Sequence, residues 1–363
     1  MKAPELPALT GIRFFAATMV FLAHISNLPG KAWFAPRSGL GNFGVAVFFV
    51  LSGFILTYNY ASLFGNGVSL GNYVRFIWDR LSKVYPLYLL TLLLAIPIEL
   101  IGHNRDWSWG ALVLQLTLLQ CILPVNQLDS TNHLNVPGWS ISCEMFFYLF
   151  APLLIWLGVS VKRLGYVVIL GWLAAVVLAV ITGIWAIHAS AWPGRFAPAR
   201  SSEFIAGVIT AVCYIKCRIP PWFVIQFCVA GGLIMLILSL FSTVPIQCLQ
   251  FGFLCAPGAA LLIYGLAYGQ GWLAKFLSHP WMILLGTSSF AFYLIHDLVL
   301  RLFKGAFVYC HLGANNFLSA AGITVASFVL IQIVSIWLFK TVEIPVQKYL
   351  RGLARKKNPA GRL

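Results

Sequence analysis

The chain is 363 residues long, 60% hydrophobic and only 9% charged, with a mean hydropathy of +0.89. A soluble domain carries about 25% charged residues, so the composition excludes one and requires an integral membrane protein. The formal charge of +15 does not point to nucleic acid, because Lys and Arg sit in short loops and at the C-terminus, where they orient membrane helices.

Apolar runs long enough to cross a hydrocarbon core of ~30 Å recur along the sequence without strand-type alternation. They predict an all-α, polytopic transmembrane helical bundle. Ten spans fall at 8–27, 41–62, 84–102, 138–158, 164–185, 202–216, 222–241, 250–269, 283–303 and 317–340. The membrane domain is assigned to residues 1–345 and a basic tail to 346–363. No linker and no soluble domain is read, and the longest polar stretch is an outer loop from Val125 to Pro137.

The first span carries Arg13 and His24 with no charge between Phe14 and Ala23. Eleven helical steps of ~100° and ~1.5 Å return to nearly the same face about 16 Å further on. One stripe then holds a cation near one end and an imidazole near the other. Ionisable groups inside a bilayer are expensive and mark a protein interior or a wet cavity. The alternatives are a snorkelling arginine and a histidine bonded to a carbonyl. The segment lacks a small-residue cleavage site after its apolar run, so it is read as retained.

In the second span, Ser52-Gly53-Phe54 marks a close-packing point. Arg75, Arg80 and Lys83 precede the third span as topology determinants, and as candidates for clamping a phosphate-bearing ligand. The stretch Trp107–Leu123 is read as re-entrant or surface-lying. Only then do Arg75, Arg80, Lys83, Lys162, Arg163, Lys216, Arg218, Lys275 and the C-terminal run all face the cytoplasm, with both termini inside.

The fourth span opens with Trp139-Ser140-Ile141-Ser142-Cys143-Glu144, followed by Tyr148. Ser140, Glu144 and Tyr148 are spaced four apart, so they stack on one face. Glu144 in an apolar helix requires a cationic partner or a proton. Further on, Glu203 is expected to pair with Arg200 or a neighbouring helix. Tyr293, His296 and Asp297 form a polar group, with Asp297 and Arg301 neutralising each other. Glu343, before Pro345, closes the last span as a structural residue. The cysteines lie mostly in apolar segments without a CxxC pair, so neither a disulfide frame nor a metal site is predicted. No GxSxG, P-loop, HExxH or GxGxxG motif occurs in a credible context.

In order, these pieces resemble the acyltransferase-3 family of integral membrane O-acyltransferases. The matching elements are Arg13 and His24 as its R-x10-H pair, Phe48 to Leu56, the basic loop Arg75–Tyr88, Trp139-Ser140-Ile141-Ser142-Cys143-Glu144 with Phe147-Tyr148-Leu149, Glu203-Phe204-Ile205-Ala206-Gly207, Ser289 to His296, and Glu343-Ile344-Pro345. The resemblance covers essentially the whole chain. Lys83 and Ile344 stand where the family commonly has arginine. The extra hydrolase-like domain of some relatives is not expected here.

The resemblance implies an acyl-CoA-dependent enzyme of the bacterial inner membrane. It would move an acyl group, acetyl first among them, from acetyl-CoA to a hydroxyl of a surface glycan, an exopolysaccharide or a lipid-linked precursor. Polysaccharide synthesis or export proteins are the implied partners. His24, Arg13 and Glu144 are the expected catalytic residues, with Glu144 orienting the imidazole as a triad's third member does. Arg75, Arg80 and Lys83 would hold the donor. Trp139, Ser140, Ser142, Tyr148 and His296 would contact the acceptor. His24 either deprotonates the hydroxyl or takes the acyl group itself. The rival reading is a secondary transporter using the buried His, Glu, Asp and Arg as a proton relay.

Overall fold

The computed structural model describes residues 4–25, 39–101, 109–122, 134–188, 195–241, 255–309 and 317–357. Among them there is no strand. Among the described residues each of the ten predicted spans falls on helix, but the one at 283–303 is broken into two helices at Ser288. In chain order the helices are α1 Pro7–His24, α2 Gly39–Phe64, α3 Leu70–Ile101, α4 Trp109–Leu116, α5 Gly138–Ser160, α6 Leu164–His188, α7 Ser201–Lys216, α8 Trp222–Phe241, α9 Ala256–Ala267, α10 Trp272–Leu277, α11 Pro280–Thr287, α12 Ser289–Tyr309, α13 Phe317–Leu338 and α14 Ile344–Lys357. Five continuous helices among the described residues are long and apolar enough to cross a membrane, and the pair α11 and α12, bent by 57°, passes that test only when taken together. At that bend Gln332 Nε2 donates to Ser288 Oγ at 3.1 Å.

Large apolar residues point outward from the bundle, among them Leu93, Leu170, Leu173, Ile237 and Ile333, each more than half exposed. A helix face of this kind needs a lipid surround. Helices pack by close approach where the sequence offers small residues. A Cβ on Gly53 would stand 2.1 Å from the Phe204 carbonyl oxygen, and one on Gly207 2.0 Å from that of Val50. The expected close-packing point at Ser52-Gly53-Phe54 is therefore the crossing of α2 and α7.

The Trp107–Leu123 stretch, described over 109–122, holds no helix long enough to span. Its helix α4 has 8 residues, ~12 Å of length against a ~30 Å core. It then turns through Leu118 at φ 59°. Non-helical backbone is tolerated at membrane depth only where protein satisfies it. Tyr88 OH donates to the Gln115 carbonyl at 2.7 Å and Tyr85 OH to that of Leu116 at 2.9 Å. Ser142 Oγ donates to the Leu118 carbonyl at 2.7 Å and accepts from the Cys121 N–H at 3.1 Å.

Two sequence readings are corrected. The segment from Arg75 to Tyr88 is helix, not loop, since α3 begins at Leu70. Its polar residues lower the local hydropathy, but Phe76 buries fully against the bundle. The last helix also does not end at Glu343. A π-helical turn, Phe339–Glu343, carries it into α14, which packs on α3.

Candidate active site

A cavity of about 180 Å³ opens between α1, α2, α3, α5 and α12. Arg13 enters it from α1, Arg80 and Lys83 from α3, and Ser140, Glu144 and Tyr148 from α5. Thr10, Ser52 and Tyr293 complete its polar wall, and the remaining lining is apolar. Among the described residues, three cations and one carboxylate share this space.

Glu144 is held in place by Tyr148, whose phenol donates to Oε2 at 2.6 Å. The cations nearest to its charge are Arg13, Lys83 and Arg80. Glu343, buried at 6% exposure, also acts electrostatically on Lys83 and Arg13. Three positive side chains crowded together repel one another unless anions intervene. Two carboxylates only partly offset them, which favours an anionic guest.

His24 does not line the cavity. It ends α1, and its Nδ1 lies 2.8 Å from the Val20 carbonyl. A carbonyl only accepts, so Nδ1 carries the proton and Nε2 keeps its lone pair in the neutral ring. His296 repeats the arrangement, with Nδ1 2.7 Å from the Tyr293 carbonyl. The two imidazoles meet edge to face, with ring centres 5.0 Å apart. His296 is fully buried and its Nε2 has no hydrogen-bond partner among the described residues.

The expected Glu144–His24 contact is therefore replaced. Glu144 belongs with Arg13 and Lys83, and the residue beside His24 is His296. A shared depth along two helices does not fix their rotation, and α5 turns Glu144 toward the Arg13 end of the stripe.

The other expected site residues divide in the same way. Ser140 and Tyr148 line the cavity, and the Ser140 hydroxyl donates to the Pro137 carbonyl at 3.1 Å. Ser142 is turned away to hold the turn after α4. Two residues on from Ser140 is ~200° of helix, which puts it on the opposite face. Trp139 is also not part of the lining. It lies beneath the Arg200 guanidinium, 5.5 Å from its ring centre, and edge-on to Phe49. His296 sits against His24 rather than in the cavity. Arg75 is exposed on α3 and does not join Arg80 and Lys83.

Two ion pairs brace the surroundings. Arg200 grips Glu203 with Nε to Oε2 at 2.6 Å and Nη2 to Oε1 at 2.7 Å, both side chains fully buried. Arg301 pairs with Asp297 at 2.7 Å, one turn away, and with Glu99 on α3. Sequence reasoning anticipated Arg200–Glu203 and Asp297–Arg301, but not Glu99, which is far away in the chain. It also missed Thr10 as a cavity wall; this residue shares the Arg13 face three positions earlier, a signal that spacing alone carries.

No solved structure matches the chain. Two characterised sequences do. "Acyltransferase MdmB" of Streptomyces mycarofaciens is 30% identical, with 99% of this chain and 97% of the relative aligned. "Exopolysaccharide production protein ExoZ" of Rhizobium meliloti (strain 1021) is 28% identical over 87% of this chain and 92% of its own length. Residues 6–336 match the acyltransferase domain of the acyltransferase-3 family. With the helical bundle around this cationic cavity, that match over most of its length makes the chain a member of the acyltransferase-3 family, a multi-pass membrane acyltransferase rather than a transporter.

Proposed function

We propose that the protein is an acyl-CoA-dependent O-acyltransferase of the bacterial inner membrane, moving an acetyl group from cytoplasmic acetyl-CoA to a glycan hydroxyl. The observation that carries this reading is the cationic cavity lying about 16 Å along α1 from a histidine whose Nε2 has no hydrogen-bond partner among the described residues. Arg80, Lys83 and Arg13 take the phosphates of CoA. The pantetheine arm follows the α1 stripe, a distance comparable to its own length, and brings the thioester to His24. Nε2 then accepts the proton of the acceptor hydroxyl as the oxygen attacks the carbonyl, and the CoA thiolate departs. Attack by Nε2 itself, with an acyl-imidazole in between, uses the same atom. The name of the Rhizobium relative supports an exopolysaccharide or its lipid-linked precursor as acceptor. Polysaccharide synthesis or export proteins are then the partners that supply it. Mass spectrometry of surface glycans with and without the protein tests the reaction: an unchanged acetyl content would overturn it.

Arg80→Ala and Lys83→Ala are expected to raise the half-saturating acetyl-CoA concentration about tenfold, with a smaller effect on saturated turnover, since charged hydrogen bonds to phosphate are each worth roughly 1.5–3 kcal/mol. Arg75→Ala should change it little, because Arg75 is exposed and outside the cavity. Equal half-saturation in the wild type and the Arg80 and Lys83 variants would leave these residues a topological role only.

Orientation has its own test. Cysteines at Asn126 and Asn315 should react with an impermeant reagent from outside intact cells, and one at Asn358 only after permeabilisation. These three positions lie outside the described residues. Protection of Asn126→Cys with labelling of Asn315→Cys would overturn the map.

A further inference from the structure

Behind the Arg80 end of the cavity, a second charged cluster joins three distant parts of the chain. Arg80 Nη2 donates to the Tyr60 phenol at 2.9 Å, and its guanidinium lies 5.3 Å from the centre of that ring. The phenol in turn donates to Asp79 Oδ2 at 3.5 Å. On the other side of Asp79 stands Arg351 of α14. Its Nε is 3.4 Å from Oδ1, and its Nη2 donates to the Asp79 carbonyl at 3.4 Å. Trp78 Nε1 donates to the Leu350 carbonyl at 3.2 Å, which pins α14 to α3.

Asp79 thus faces Arg351 directly and reaches Arg80 only through the Tyr60 phenol, and neither guanidinium is fully satisfied. Nε of Arg80 and Nε of Arg351 are both buried and lack a hydrogen-bond partner among the described residues. A guanidinium presents five donors in a fixed fork suited to phosphate as well as carboxylate. Unfilled buried donors cost free energy, and polar groups left in that state call for an explanation. Here both orphans belong to one chain of contacts, Arg80–Tyr60–Asp79–Arg351. The Arg351–Asp79 pair is also loose and partly open, with side-chain exposures of 35% and 27%. Pairs of that kind are weak and easily exchanged.

We propose that Asp79 stands in for a phosphate of the acyl donor, and that Arg351 on the C-terminal helix is a phosphate ligand held in reserve by it. The proposal rests on the reading of a CoA-type donor in the adjoining cavity. A phosphate ester offers more charge and more acceptor oxygens than a single carboxylate. When it arrives it takes the open Nε donors, and Asp79 gives up its share of Arg351. Asp79 then opposes donor binding while Arg351 favours it. A purely structural ion pair predicts the same sign for both residues.

The test is equilibrium binding of CoA to the full chain in phosphatidylcholine nanodiscs, with pantetheine as the phosphate-free control. Asp79→Asn should tighten CoA about 3-fold or more, the scale of one partly exposed ion pair. Arg351→Ala should weaken it about tenfold, the scale of one charged hydrogen bond. Arg351→Lys should fall between wild type and Arg351→Ala, because it keeps the charge and loses the fork. Pantetheine should show no such split. If Asp79→Asn and Arg351→Ala weaken CoA alike and lower the melting temperature alike, the pair is only a clasp between α14 and α3, and the proposal fails. It fails equally if the effects appear only in anionic lipid, since a lipid headgroup would then be the ligand. Wild-type protein that binds no CoA in either bilayer would overturn the donor reading itself, before any variant is compared.

Discussion

Replacing His24 with alanine is expected to lower acyl transfer by ~10²–10⁴-fold, the range for removing a positioned acid–base group. Expression and membrane insertion should stay normal. His24 terminates α1 and is only partly buried, so its loss opens no large core cavity. The Nδ1 proton is committed to Val20, which leaves Nε2 as the reactive atom. His296 does not replace it, because that ring is sealed within the bundle. Donor binding should survive, since the cavity that would hold the phosphates lies at the other end of the stripe. The measurement is turnover with saturating acetyl-CoA alongside CoA binding by the same preparation. Full turnover in a well-inserted His24→Ala protein would remove His24 from the chemistry.

The second large effect concerns stability rather than catalysis. Arg200→Ala should destabilise the bundle by about 3–5 kcal/mol, because it strands the Glu203 carboxylate in a fully buried site. Arg200 also lies over the rings of Phe49 and Trp139, 5.2 and 5.5 Å from their centres, so packing is lost with the charge. The double replacement Arg200→Met with Glu203→Leu should recover much of the loss, since no unpaired charge remains. Thermal unfolding in detergent, followed for both single variants and the double, gives the comparison. A double variant as unstable as the sum of the two singles would mean that the pair does not act as a unit.

The bundle was legible in the sequence because lipid demands long apolar runs, and the ends of α2, α5, α7 and α8 fall within three residues of the predicted spans. Besides the predicted span 283–303, which is broken at Ser288, the two helices whose extent was misjudged are those that leave the apolar regime. The first turns of α3 carry Arg75, Asp79, Arg80 and Lys83, and α14 carries Lys348, Arg351, Arg355, Lys356 and Lys357. Hydropathy reads such segments as loop or tail, although one face packs on protein. Within the site, Arg13, Arg80, Lys83, Ser140, Glu144 and Tyr148 meet as polar residues in apolar helices tend to do, by turning inward. The pairing of His24 was not legible. It depends on the rotation of α5 and α12 about their axes, and apolar helices with only a few polar residues specify that rotation weakly. Ser142 shows the same limit at the scale of one turn: chemistry identical to Ser140, opposite face, and a role in satisfying a carbonyl of the re-entrant turn.

The π-helical turn at Phe339–Glu343 has a consequence for phase. Such a turn closes i→i+5 bonds, so it holds one residue more than the α-helix it interrupts. Each residue is worth ~100° of rotation. The wider turn absorbs that residue, so rewinding these five residues as plain α-helix, with none removed, would swing the whole of α14 by about that angle and carry Leu350 and Arg351 off α3, whereas deleting one residue would leave its facing nearly unchanged. The direction in which the terminal helix aims is thus set by the gauge of one turn rather than by any one side chain, and a change of winding there re-aims it as a unit.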